Sequence, residues 1–132
     1  MADHTKAITW RDLEVWQRAH ALVLKIYRLA AAFPQEEKFR LADQLCRAAI
    51  SVPANIVEGQ ARQTTKEYLQ FLYHARGSVE ETRYHLFLAR ELGYLDSAKY
   101  DEMESEYQTV SKMLNGLIQS LKGREGMKGI RD

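Results

Sequence analysis

The sequence predicts an all-α fold, an antiparallel up-down-up-down four-helix bundle. Only two prolines and seven glycines punctuate the 132 residues. Ala, Leu, Glu, Lys, Arg and Gln dominate while β-branched residues are sparse, a composition that loses little on entering a helix. Apolar residues also recur at spacings of three and four in four long blocks. The connections between blocks are short, so consecutive helices are antiparallel neighbours. Helices of about 20 to 28 residues are each about 30 to 40 Å long, matched for bundling.

The first helix is expected from about Leu13 to Phe33, with Trp16, Ala19, Val23, Ile26, Tyr27, Ala30 and Phe33 on its inner side. Pro34 stops it, because the residue before a proline is pushed out of the α region. The second is expected from about Glu36 to Gly59, burying Leu41, Leu45, Ala48, Ala49, Val52 and Ile56, with Arg40 and Arg47 opposite and Gly59 as the helix stop. Thr64 with Glu67 reads as a capping box that opens a third helix running to about Leu92, with a seam of Leu72, Ala75, Val79, Leu86 and Ala89. Gly93 closes it. Asp96 or Ser97 caps a fourth helix, Ala98 to Leu121, whose inner face is Tyr100, Met103, Tyr107, Val110, Met113 or Leu114, Leu117 and Leu121. Residues 1–11 read as an N-terminal arm, 12–121 as a single bundle domain and 122–132 as a disordered, glycine-rich, charged tail.

Composition bounds the function. The single cysteine, Cys46, excludes an internal disulfide framework and a multi-thiolate zinc site within one chain, which fits a reducing, cytoplasmic location. The most apolar segment, Ala19 to Phe33, is interrupted by Lys25 and Arg28, so no membrane partner is expected. A net charge of +1 predicts no polyanion partner by itself.

The run from Arg40 to Arg62 breaks two helix rules. Pro53 sits inside it, and Glu58 faces the negative end of the helix dipole. Asn55, Glu58 and Arg62 fall at offsets of three and four. A Glu58–Arg62 ion pair and an Asn55 that satisfies carbonyls freed by Pro53 form the structural reading of this cluster. The functional reading is a polar pocket for a ligand or partner at the end of the bundle. On the third helix Tyr84, Leu88, Leu92 and Leu95 form a second apolar strip, aligned with Gly77, that points to self-association.

The opening Asp12–Ala19 segment, the Phe33-Pro34 stop, the run Ser-Val-Pro-Ala-Asn-Ile-Val-Glu-Gly (51–59), the Gly77-Ser78 pair and Glu91-Leu92-Gly93-Tyr94-Leu95 read together. This pattern resembles the four-helix-bundle proteins encoded by intervening sequences within bacterial 23S ribosomal RNA genes. The resemblance implies a homopentamer without established enzymatic activity. A related branch looks like the accessory protein of diversity-generating retroelements, whose basic surface engages nucleic acid.

Arg76, Arg83 and Arg90 recur every seven residues on the third helix, a line suited either to tracking phosphates of RNA or DNA or to pairing with Glu102, Glu104 and Glu106. No di-iron or other metal set is present: the nearest match, Glu81 with His85, occurs once, and His74 lies about 16 Å from His85 along the helix axis. Cys46 has no histidine placed to activate it, and no phosphate-binding glycine loop opens a helix. No catalytic residue or cofactor is therefore expected. The sequence supports a homo-oligomeric bundle that binds nucleic acid through its arginine line, or else a scaffold that recruits an unknown protein partner and uses those arginines structurally.

Overall fold

The computed structural model describes residues 9–131, with side chains through residue 126. Four helices follow one another: α1 (Glu14–Ala31), α2 (Leu41–Gln60), α3 (Thr65–Glu91) and α4 (Ser97–Arg131). Two 3₁₀ turns, Trp10–Asp12 and Gln35–Glu37, precede α1 and α2. No strand occurs among the described residues, and no described helix is long and apolar enough to cross a membrane. The expected N-terminal arm lies largely outside the described residues.

The seams predicted for the second and third helices are all buried. In α1 the spacing overreaches: Tyr27, expected inside, is 51 % exposed, while Val15 and Leu22 are buried instead. In α4 the inner position after Leu114 is Ile118, which is fully buried, while Leu117 packs only partly against the core.

Three helix ends differ from expectation. The second helix starts at Leu41, five residues later than Glu36 suggests, because Arg40 leaves the helical region at φ −121° and ψ −109°. Glu37, expected within that helix, instead caps it: its Oε1 accepts the Leu41 N–H at 3.2 Å. Its Oε2 accepts the Tyr94 hydroxyl at 2.8 Å, which ties the α3–α4 turn to the start of α2.

Gly59 is not the stop. It lies inside α2, where a Cβ would come within 2.8 Å of the Phe71 Cβ and 2.9 Å of the Tyr68 ring. Its missing side chain lets α3 approach.

Residues 122–131 of the expected disordered tail are helical, since α4 continues to Arg131. Its glycines cost about 1 kcal/mol each, but an already nucleated helix gains a hydrogen bond per added residue and no proline interrupts it.

Other ends follow the sequence. Thr64 Oγ1 accepts the Glu67 N–H at 3.1 Å and donates to Glu67 Oε1 at 3.0 Å. Gly93, at φ 83°, makes the left-handed turn that ends α3. Tyr94 N–H bonds the Ala89 carbonyl and Gly93 N–H the Arg90 carbonyl, the paired bonds of a Schellman motif. Asp96 Oδ1 caps α4 by accepting the Lys99 N–H at 2.7 Å.

Pro53 is buried within α2. Asn55 Nδ2 donates to the Ser51 carbonyl at 2.8 Å and to Ser51 Oγ at 2.9 Å. The carbonyl that Pro53 deprives of its donor is that of Ala49, so Asn55 serves the neighbouring Ser51 instead of the freed group. Ser78 Oγ donates to Ser51 Oγ at 2.8 Å and the buried Thr82 donates to the Ser78 carbonyl at 2.8 Å, completing a polar ladder between α2 and α3.

Gly59→Ala is expected to lower stability in urea denaturation by about 1 to 3 kcal/mol, because the Phe71 Cβ it strikes is fixed to the backbone. Gly77→Ala, whose Cβ meets nothing within 4 Å, is expected to raise stability by about 0.5 to 1 kcal/mol.

Candidate interaction surfaces

The arginine line spans the α3–α4 seam. Arg83 Nε and Nη2 donate to the two Glu104 carboxylate oxygens, each at 2.8 Å, and its Nη1 reaches Glu80 at 3.0 Å. The Arg83 and Glu104 side chains are only 27 % and 23 % exposed. The hydrogen bond from Arg83 holds the Glu104 carboxyl below its ordinary value, and the same bond holds the guanidinium more firmly protonated. Arg76 donates to Asn115 Oδ1 at 3.1 Å and lies over Tyr73. Arg90 lies 4.5 Å from the Tyr100 ring centroid and 5.1 Å from that of Phe87. Each arginine thus reaches a residue of α4. Of the three expected acids, only Glu104 meets this line. Glu102 and Glu106 face α1 instead, where Lys25 Nζ lies 3.7 Å and 3.0 Å from them.

The Asn55–Arg62 cluster is rearranged relative to expectation. Glu58 is exposed and makes no ion pair among the described residues. Arg62, its expected partner, lies 4.5 Å from the Phe71 ring centroid, because the chain leaves α2 at Gln60 and carries Arg62 toward α3.

The proposed apolar strip does not hold as one surface. Tyr84 and Leu92 are 59 % and 50 % exposed, but Leu88 packs partly against the core and Leu95 is buried. Leu95 lies beyond the Gly93 turn, so the helical angle that aligned it no longer applies.

A different apolar surface runs between α1 and α2. Tyr27 and Cys46 face a common cavity of about 510 Å³, with Ala31, Phe33 and Ala42 on its apolar walls and Gln35, Lys38 and Asp43 on its polar side. Leu24 and Ile50 lie one turn away along each antiparallel helix, and both are exposed. Sequence reading missed this groove because Tyr27 keeps the same three- and four-residue spacing as the buried positions. Burial and the nearby Asp43 carboxylate push the Cys46 thiol up, keeping it protonated and a poor nucleophile. Among the described residues, no group of three or more His, Cys, Asp or Glu side chains converges as a metal site.

Residues 11–116 match the description of the 23S rRNA-intervening sequence proteins. The chain belongs to this family. A solved structure from Bacteroides thetaiotaomicron, a protein of unknown function from the S23 ribosomal protein family, has a TM-score of 0.74 to it at 24 % identity. That likeness covers 80 % of this chain and 95 % of the other, and shows a shared fold. No curated protein matches the chain. Within the family match lie the run containing Pro53, the Ser51–Ser78 contact and Arg76, Arg83 and Arg90.

A double-mutant cycle with Arg83→Leu and Glu104→Gln is expected to give a coupling of about 1 to 2 kcal/mol in chemical denaturation, reflecting a charged but partly exposed pair. Because the folded Glu104 titrates below its ordinary value of 4.5, the pair contributes fully above that pH. The stability difference between wild type and Glu104→Gln should therefore shrink as pH falls through the depressed value. A difference that stays constant from neutral to acid would contradict this.

Proposed function

We propose that this 23S rRNA-intervening sequence protein is a non-catalytic, cytoplasmic scaffold that works as a homo-oligomer. The observation that carries this reading is the α1–α2 groove, where Tyr27 lines a cavity and the exposed Leu24 and Ile50 continue the surface one turn along each helix, a face that another copy would cover. A pentamer is the assembly that the sequence resemblance favours. The resemblance to the accessory protein of diversity-generating retroelements favours the same ring, and recruitment of a protein or nucleic acid to it. The pairing of Arg83 with Glu104 and Glu80 supports structural roles for the arginines. Contact of Arg76, Arg83 and Arg90 with RNA would require phosphates to compete with neighbours they already have on α4.

Light scattering tests the assembly. Wild type is expected at a multiple of the monomer mass and Tyr27→Glu at the monomer mass with unchanged helical circular dichroism; a monomeric wild type would overturn the reading. Gly77→Leu separates this groove from the α3 strip, since it is expected to leave the mass of the assembly unchanged. In titrations with a 23S rRNA fragment, charge reversal at Arg76, Arg83 and Arg90 is expected to leave the salt slope unaltered. A slope that flattens would assign the line to RNA.

A further inference from the structure

We propose that the cleft at the α2–α3 end of the bundle binds a phosphomonoester. The cleft has a volume of about 350 Å³ and opens between the α2–α3 turn and the last core turns of α4. No acid lines it, whereas Arg62 and Arg124 approach from those two elements. Among the described residues four guanidinium groups meet carboxylates: Arg83 meets Glu104, Arg47 meets Asp43, Arg18 meets Glu14 and Arg90 meets Glu91. Arg62 and Arg124 have no carboxylate partner among the described residues.

The surroundings favour an anion further. The Phe71 ring supports the guanidinium of Arg62, and stacking on the flat face leaves the in-plane N–H groups free to donate. The Arg124 charge partly offsets the burial that pushes the Tyr68 phenol up, which places it within electrostatic reach of that side chain. Thr64 and Thr65 bring the start of the 27-residue α3 into the wall, adding the partial positive charge of a helix N-terminus. Glu67 is the nearby acid of that turn; it is held by the Thr64 hydroxyl and does not line the cleft.

Two guanidinium groups match a monoester better than a diester. A monoester carries about −1.5 to −2 charge near neutral pH and three terminal oxygens, against one charge and two such oxygens on a diester. Leu117 and Leu121 give the cleft an apolar side suited to the group that bears the phosphate. A mononucleotide and the 5′-phosphorylated end of an RNA strand share this chemistry.

Isothermal titration of the full chain with adenosine 5′-monophosphate and with adenosine tests the site. The monophosphate is expected to bind at least about tenfold more tightly, and Arg124→Gln to remove most of that advantage. Arg124 is exposed, so this variant should keep the wild-type melting temperature. Arg62→Lys, which keeps the charge but loses the planar fork, is expected to weaken binding partially. Equal binding of the two ligands, or an Arg124→Gln variant that binds as wild type, would overturn the proposal. A short RNA with a 5′-phosphate that binds more tightly than both the monophosphate and its 5′-hydroxyl counterpart would identify the strand end as the source; a monophosphate that binds as tightly would identify the free nucleotide. A wild type that scatters as a monomer yet binds the monophosphate would overturn the assembly reading and leave this site standing.

Discussion

The close approach of α2 and α3 is the constraint on which the rest of the bundle depends. Gly59 keeps side-chain volume small where the two helices meet, since its Cβ position is already occupied by Phe71 and Tyr68. Such an approach limits access of water, so the partly buried polar atoms along it gain by pairing with one another. The Asn55–Ser51–Ser78 chain does this. It also restricts sliding of the helices, since a hydroxyl pair at 2.8 Å is lost if either helix shifts by one residue. Pro53 is tolerated in this setting because tertiary packing stabilises a helix that its own propensity would interrupt.

Charge is distributed around this axis by partner. The acids of α4 divide between neighbours, Glu104 toward α3 and Glu102 with Glu106 toward α1. Two flanks of α4 therefore bridge to two helices, one through Arg83 and the other through Lys25. Such pairs add modest stability where exposed, and more certainly disfavour wrong registers, in which like charges would meet. The arginine line belongs to the same scheme, with the Arg90 guanidinium covering the aromatic edge formed by Phe87 and Tyr100 and Arg76 covering Tyr73.

Much of the fold was legible in the sequence because it rests on local signals. The buried seams of α2 and α3 follow from periodicity, and Thr64, Gly93 and Asp96 mark both ends of α3 and the start of α4 by capping chemistry. The misreadings share a cause: each depends on a residue from another element. Gly59 looks like a stop until Phe71 is seen against it, and Glu37 looks like a helix interior until Tyr94 and Leu41 share its carboxylate. Tyr27 has core spacing but no helix above it. The surfaces were less legible still. Leu95 joins the α3 strip only if the helix continues through Gly93, and Arg62 pairs with Glu58 only if α2 continues past Gln60. Arg124 falls in a segment whose composition suggests no structure at all, so nothing local could place it opposite Arg62.

Glu37 also makes the two ends of the bundle unequal. One carboxylate joins the α1–α2 connection, the start of α2 and the α3–α4 turn, and the Phe33 and Tyr94 rings, 5.7 Å apart between centroids, cover the same junction. Neither connection there can be lengthened or replaced alone without disturbing the other. At the opposite end, where α1 begins and α4 runs on past the cleft, no single carboxylate joins two connections among the described residues. Lengthening a connection is therefore expected to disturb more of the molecule at the Glu37 end than at the other.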